Sequence, residues 1–396
     1  MHIDVFCTVI DNHGDLGVCW RLSQQLAERG VSVRLFIDRW EDVAWLAPEQ
    51  SYRGLNIEMK PWPEADSPST AFLQEPRPDA VISAFGCALP ASYLQAMQTM
   101  KLLVKPPVWV NLDYFSAEPF SRRCHGLPSP VLQGPGEGLT QWFFYPGLVE
   151  GTGGLLRPSQ PPEPLNAADR AAFLKPFGLA DWPGRLSLLF CYEPEPLAVW
   201  LGALWDEIKA SGLMPAQEPL ALIVPAGRAH EAVARALAPL GHTLPPVGAY
   251  LAHPQLRIQC LPWISQTTFD QWLRVSEAHA VRGEDSLAQA LWTAQPVLWQ
   301  IYPQADGVHE AKLEAFLDEV IQDMPDALAQ TVRVLHRVWN GFLPAHLIDG
   351  GALWWGNWLP ARTLRAQWRM AMQARRATWL HQPDLVTNLM AFIEAH

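Results

Sequence analysis

The sequence predicts an α/β protein made of two doubly wound domains, each a mostly parallel sheet covered by helices. Short β-branched and apolar runs alternate with helical patterns through the first part of the chain. The same alternation resumes after a proline-rich stretch near the middle. No repeat with a period of about 20–50 residues interrupts it, which sets solenoid and propeller architectures aside.

In the first domain, strands are expected at Ile3–Ile10, Val31–Ile37, Ile57–Trp62, Ala80–Phe85 and Val108–Leu112. Between the first two lies Val18-Cys19-Trp20-Arg21-Leu22-Ser23-Gln24-Gln25-Leu26, whose apolar residues recur at helical spacing, with Gly30 as the stop. Strand, helix and strand at this pitch make a βαβ unit, hence a parallel sheet with right-handed crossovers. The stretch Arg157–Asn166 holds four prolines in ten residues, which fits neither a helix nor a central strand, so it reads as a linker. Beyond it, strands are expected at Leu186–Tyr192, Leu220–Val224, Leu256–Leu261, Ala278–Val281 and Val297–Ile301. Helical segments such as Pro196–Ser211 and Ala229–Leu240 separate them. From about Leu353 the chain is rich in tryptophan (Trp354, Trp355, Trp358) and then helical over Thr363–Leu380 and Pro383–Ala395. The expected division is a first domain over 1–156, a linker over 157–170, a second domain over 171–360, and C-terminal helices over 361–396 that return to the first domain.

Composition narrows the function. The 396 residues are 49% hydrophobic and 17% charged, enough apolar material for sizeable cores. A net charge of −11 disfavours general nucleic-acid binding, which needs cations to neutralise phosphates. No apolar run reaches the roughly 18 residues of a membrane helix. The first ten residues carry neither a basic leader region nor a small-residue cleavage site. The six cysteines are scattered, with no CxxC and no His at zinc spacing, which suits a reducing cytoplasm and predicts no metal site.

Four segments at expected strand ends carry polar or aromatic groups suited to chemistry, which is where open α/β sheets bind ligands. The first is Asp11-Asn12-His13-Gly14-Asp15-Leu16-Gly17. It is not GxGxxG, so a dinucleotide fingerprint is absent and an oxidoreductase is disfavoured. Two glycines let the backbone approach a ligand, and the next helix offers free N–H groups. Its two carboxylates serve either chemistry or simple turn capping. The second is Val281-Arg282-Gly283-Glu284-Asp285-Ser286-Leu287, where a strand ends, glycine turns the chain and Ser286 begins a helical pattern. An arginine, a hydroxyl and helix N–H groups make a phosphate cradle. Glu284 and Asp285 look misplaced beside a diphosphate unless one of them accepts sugar hydroxyls; as acidic first-turn residues they need no ligand. The third is the pair Phe190-Cys191-Tyr192-Glu193 and Leu261-Pro262-Trp263-Ile264-Ser265-Gln266, whose aromatics can stack a base while Gln266 reads its edge, or simply fill a core. The fourth is Trp299-Gln300-Ile301-Tyr302-Pro303-Gln304, with the Tyr302 hydroxyl placed to donate a hydrogen bond to a phosphate; His309 and Lys312 beyond it read as solvated helix residues.

These segments together resemble the protein-arginine rhamnosyltransferases of bacterial translation elongation factor P. The resemblance runs from Phe6–Leu22 through Asn111–Glu118, Cys124–Ser129 and Thr152–Arg157 to Arg282–Ser286 and Trp299–Pro303. It implies a GT-B glycosyltransferase, with two Rossmann-like domains facing across a cleft, a dTDP-β-L-rhamnose donor, an arginine of elongation factor P as acceptor, inversion at the anomeric carbon, and neither cofactor nor metal. Carried over, Asp15 is the catalytic carboxylate and Asp11 its partner, while Asn12, His13 and Gly14 line the sugar side. Phe190, Tyr192, Trp263 and Gln266 hold thymidine. Arg282, Gly283, Glu284, Asp285, Ser286 and Tyr302 hold the ribose and diphosphate, with Glu284 also implicated in catalysis. The competing readings are a glycosyltransferase with another sugar or acceptor, and a nucleotide-sugar-binding partner of the translation factor without turnover.

Overall fold

In a computed structural model, the described residues are all except 10–13, 49–51, 63–75, 104, 212–217, 305–306 and 348–358. The chain divides into two compact units. Unit 1 comprises Met1–Gln160 with His381–His396, and unit 2 comprises Pro161–Leu380.

Among the described residues, unit 1 is built on a seven-stranded sheet. Its strands are β1 (His2–Cys7), β2 (Ser32–Ile37), β3 (Ile57–Pro61), β4 (Ala80–Ala84), β5 (Val108–Leu112), β6 (Pro128–Pro130) and β7 (Thr140–Phe144), in the order β3-β2-β1-β4-β5-β7-β6. Pairing is parallel except between β6 and β7. Side chains alternate across β1. Ile3, Val5 and Cys7 enter one core with Leu16, Leu22 and Leu26 of the helix Gly14–Glu28. Phe6, one residue out of phase, enters the other core with Tyr93 and Met97 of the helix Ala91–Leu103. Both faces of the sheet are therefore buried, which is why β1 reads as an apolar run. Asp4 is the exception on that second face, and it is fully buried. Arg34 grips it through two hydrogen bonds of 2.7 Å, and the Tyr93 hydroxyl donates to it as well. Burial alone would raise the Asp4 carboxyl, but the bonds from His2, Arg34 and Tyr93 hold it below its ordinary value.

Strands β6 and β7 go beyond the elements expected from sequence. β6 is a three-residue edge strand with a proline at either end, which suits an edge and gives little propensity signal. The last helix, Leu385–Ala395, packs Leu385, Val386, Leu389 and Ile393 into the first core of unit 1. Its N-cap Asp384 accepts a bond from the Thr387 amide and an ion pair from Arg29. The sequence reading groups 361–396 together, whereas the two units divide them after Leu380. The helix Leu359–Leu380 stays in unit 2, with Trp368 and Met372 fully buried.

Unit 2 holds a six-stranded sheet: β8 (Arg185–Leu189), β9 (Leu220–Val224), β10 (Tyr250–His253), β11 (Leu256–Cys260), β12 (Ala278–Arg282) and β13 (Val297–Gln300). The order is β10-β11-β9-β8-β12-β13, parallel apart from the β10–β11 hairpin, which the sequence patterning did not reveal. Trp200 stacks on Trp339 at 4.8 Å, and Trp272 and Trp299 are also buried to within 1%. Much of the tryptophan excess is thus core material here. Trp354, Trp355 and Trp358 lie outside the described residues. Among the described residues no helix is long and apolar enough to cross a membrane.

If β10 is set aside, both units wind in the same way. The chain builds outward for three strands from β1 or β8, then returns to the other side of that first strand to lay down β4 or β12. At such a switch point, where successive connections leave for opposite faces, open α/β sheets form a crevice at the carboxyl ends of the strands. Ligands of open α/β sheets bind there.

Candidate active site

In unit 2 the crevice lies between β8 and β12. β8 releases Phe190 and Tyr192, and β12 ends on Arg282. The Arg282 guanidinium sits over both rings, 4.7 Å from the Phe190 centroid and 4.5 Å from that of Tyr192. Arg228 lies over Tyr192 too, at 4.7 Å, and is held by the Glu193 carboxylate. That hydrogen bond, with partial burial opposing it, keeps the Glu193 carboxyl below its ordinary range. Tyr302, at the end of β13, meets Tyr192 edge-on at 5.7 Å. Side-chain bonds of Gln300 and Asn340 fix the backbone around these groups. The Tyr192 amide donates to Gln300 Oε1 at 2.7 Å, and Asn340 clamps the end of β13 by bonding both Ile301 N and Trp299 O. The cluster is cationic and aromatic, the surroundings that receive a flat ring and an anion together.

Gly283 turns the chain from β12 into the helix Glu284–Trp292. It has φ +69°, which favours glycine, and the Trp299 indole donates to its carbonyl at 3.0 Å. The helix therefore starts two residues before Ser286, and Ser286 sits in its first turn, donating its hydroxyl to the Arg282 carbonyl. Glu284 and Asp285 are not bare charges. Asp285 Oδ2 accepts from Gln266 Nε2 at 2.8 Å, and Glu284 Oε1 pairs with Lys312 Nζ at 2.8 Å. Lys312 is one-fifth exposed, which corrects its reading as a solvated residue: its ammonium is drawn inward by Glu284. Trp263 is more than half exposed, with its ring edge against Gly227.

In unit 1 the equivalent crevice lies between β1 and β4. Asp38 Oδ1 accepts from the Val9 amide and pins the exit of β1. Asp11, Asn12 and His13 lie outside the described residues. Gly14 and Asp15 open the helix Gly14–Glu28; Gly14 is exposed, and Asp15 is only 4% exposed. Together with Asp38, Asp15 adds negative field at Cys7, whose thiol is pushed well up chiefly by its bond with Cys19 and by burial. At the exit of β4, Phe85 holds φ +57°, an uncommon conformation for a bulky residue, and its ring stacks on Tyr114 at 4.4 Å. Asp113, at the exit of β5, accepts from the Tyr114 amide and the Asn111 side chain. The Tyr145 phenol is pushed up to about 12 by burial and by its bond to Asp113.

The structure thus gathers Phe190, Tyr192, Arg282, Gly283, Glu284, Asp285, Ser286, Gln266 and Tyr302 around the β8–β12 edge, with Trp263 beside Gly227 on the β11 side. It places Asp15 on the corresponding edge of unit 1. Sequence reasoning missed Arg228, Gly227, Asp38 and Asp113. The available signal was positional: the two carboxylates come immediately after β2 and β5, and Gly227-Arg228 come three and four residues after β9, in Pro225-Ala226-Gly227-Arg228.

Comparison with known proteins identifies the family. Residues 3–394 match the family model described as elongation-factor P (EF-P) rhamnosyltransferase EarP. A protein-arginine rhamnosyltransferase of Pseudomonas putida is 38% identical, over 98% of this chain and 97% of its own length. One of Pseudomonas aeruginosa is 37% identical, over 98% of each. A solved structure described as the structural basis for EarP-mediated arginine glycosylation of translation elongation factor EF-P superposes with TM-score 0.61 and 29% identity, covering 100% of this chain and 99% of that one.

Proposed function

The chain belongs to the EarP family of elongation-factor-P rhamnosyltransferases, and from that premise we propose that it moves L-rhamnose from dTDP-β-L-rhamnose to one arginine of elongation factor P, activating the factor for translation of polyproline stretches. The observation that carries the donor half is the unit 2 crevice, where Arg282 lies over Phe190 and Tyr192 beside the amino end of the helix Glu284–Trp292. Phe190, Tyr192 and Trp263 hold the thymine ring. Arg282, Tyr302 and the first N–H groups of the helix, the Ser286 amide among them, hold the diphosphate. Asp285, oriented by Gln266, takes ribose hydroxyls.

The acceptor half is supplied by unit 1. A guanidinium has a pKa above about 12, so it does not deprotonate freely before attack. The Asp15 carboxylate, with Asp11 as its partner, holds it by paired hydrogen bonds, aims one nitrogen and takes a proton as the C–N bond forms. Orientation carries more of the rate than base strength. Asn12, His13 and Gly14 line the sugar side. A single displacement inverts the anomeric centre and needs no covalent enzyme intermediate. The negative charge growing on the departing dTDP meets Arg282, Tyr302 and helix N–H groups, a stabilisation that metal-dependent enzymes take from a cation. No metal or cofactor is needed in this scheme.

The test is intact-protein mass spectrometry of unmodified elongation factor P incubated with this protein and dTDP-β-L-rhamnose, with EDTA present. A gain of one deoxyhexose on one arginine is expected. Donor binding without any gain shifts the reading to another acceptor or to a binding module without turnover. No donor binding removes the sugar assignment.

A further inference from the structure

Two carboxylates in the first turn of the helix Glu284–Trp292 suit its dipole, yet they oppose any anion that the same helix end receives. Asp285 is engaged by a neutral amide, Gln266. Glu284 is engaged by a full positive charge, Lys312, at 2.8 Å, with both side chains about four-fifths buried. Lys312 comes from the neighbouring helix His309–Ile321, one turn from its start. The carboxylates on that helix are held from elsewhere. Glu310 pairs with Arg337 at 3.0 Å, Glu314 with Arg333 and Arg337, and Asp318 with Arg333 at 2.6 Å. Those arginines belong to the helix Asp326–Trp339, and Glu319, the remaining acid of the helix, lies 3.5 Å from Arg375 of the helix Leu359–Leu380, so each of these acids has an arginine of its own while Lys312 pairs with Glu284.

We propose that Lys312 is a positioning residue for the nucleotide diphosphate: its ammonium fixes the Glu284 carboxylate and cancels its charge beside the anion. The inference rests on the donor assignment above and deepens it. A compact ammonium suits the task, because it can pair with one carboxylate oxygen without the forked geometry of a guanidinium. Partial burial matters as well, since a pair screened by bulk water would cancel little.

The experiment is a double-mutant cycle on dTDP binding by titration calorimetry, using the full chain as wild type, Lys312→Met, Lys312→Arg, Glu284→Gln and the double variant Glu284→Gln/Lys312→Met. Lys312→Met is expected to weaken dTDP about tenfold when Glu284 is present and under about threefold in the Glu284→Gln background. Lys312→Arg, which keeps the charge, retains affinity within about threefold. A merely structural role would lower the unfolding midpoint and leave no coupling between the two sites. Equal losses in both backgrounds, or no loss with Glu284 present, overturn the inference and leave the donor assignment standing. If wild type fails to bind dTDP, the donor assignment itself falls and this inference with it.

Discussion

The switch point of unit 1 is edged by carboxyl groups and phenols: Asp15 in the first helix, Asp38 beyond β2, and Asp113 with Tyr114 and Tyr145 beyond β5 and β7. The switch point of unit 2 has the same winding and the opposite character, with Arg282 and Arg228 over Phe190 and Tyr192. One strand order therefore carries two sets of side chains at its strand exits, and those side chains make the difference. A cationic acceptor suits the first edge, and an anionic nucleotide the second. The units also differ in how they carry buried charge. Unit 1 buries an ion pair, Asp4 with Arg34. Unit 2 buries histidines neutral: burial takes His279 down to about 3 and His336 down to about 4.

The sharpest way to break this comparison is to exchange an effect between its halves. Asp15→Ala is expected to lower kcat about a thousandfold and to leave dTDP affinity within about twofold. Arg282→Ala should do the reverse on binding, weakening dTDP about tenfold to a hundredfold. If Asp15→Ala weakened dTDP as much as Arg282→Ala did, the division of labour between the two edges would be wrong.

Next in size is the buried pair. Arg34→Met leaves the Asp4 carboxylate buried without its guanidinium and should destabilise unit 1 by about 3–5 kcal/mol. The midpoint of its thermal unfolding would fall, while dTDP binding by the folded protein at low temperature stays at the wild-type value. A nucleotide-binding loss at that temperature would tie the pair to the donor edge.

Acid should separate the units further. A histidine whose folded pKa is depressed binds fewer protons than its unfolded counterpart, so it costs stability as pH falls from about 6.5 toward the folded value. His279 and His336 each weaken the folding equilibrium of unit 2 by about tenfold per pH unit between about 6 and 4. Unit 1 has one such histidine, His125, lowered by burial, and unit 2 has one opposing group, Glu277, whose carboxyl is raised by burial and so returns some stability as pH falls. The Asp4 contribution of unit 1 has the opposite sign: it is complete above about 4 and is lost only below that. Unfolding midpoints recorded from pH 7.5 to 4.5 should show unit 2 falling more steeply, and parallel slopes would refute the distinction.

The smallest effect expected is at Gly227. Its φ is +85°, and a Cβ there would come within 3.0 Å of the Trp263 ring. Gly227→Ala should cost about 1–2 kcal/mol of stability and weaken dTDP a few-fold, by moving the exposed indole proposed to stack on the base. An unchanged affinity would remove Trp263 from the base site.

The edge of unit 2 was more legible in the sequence than that of unit 1. Arg282-Gly283-Glu284-Asp285-Ser286 is contiguous, follows a clear apolar strand and opens a helix, so residue type and place are read together. Asp38, Asp113 and Tyr145 follow three strands far apart in sequence, and no local pattern marks them as sharing the carboxyl edge of one sheet with Asp15. β7 was missed for a related reason. Its Thr-Gln-Trp-Phe-Phe run is mostly half-buried near the sheet edge, so its apolar and polar positions do not separate cleanly.

By itself the sequence determined the alternation of strands and helices, the proline-rich boundary and the turn glycines, because period, φ preference and the missing proline N–H act over a few residues. Only the tertiary structure decided which strand lies beside β1 and β8, since pairing order depends on contacts between distant segments. It also decided that Lys312 turns inward to Glu284, and that the last two helices serve different units. Those outcomes depend on where a charge finds its partner and where an apolar face finds its core, and neither is written in the residues alongside.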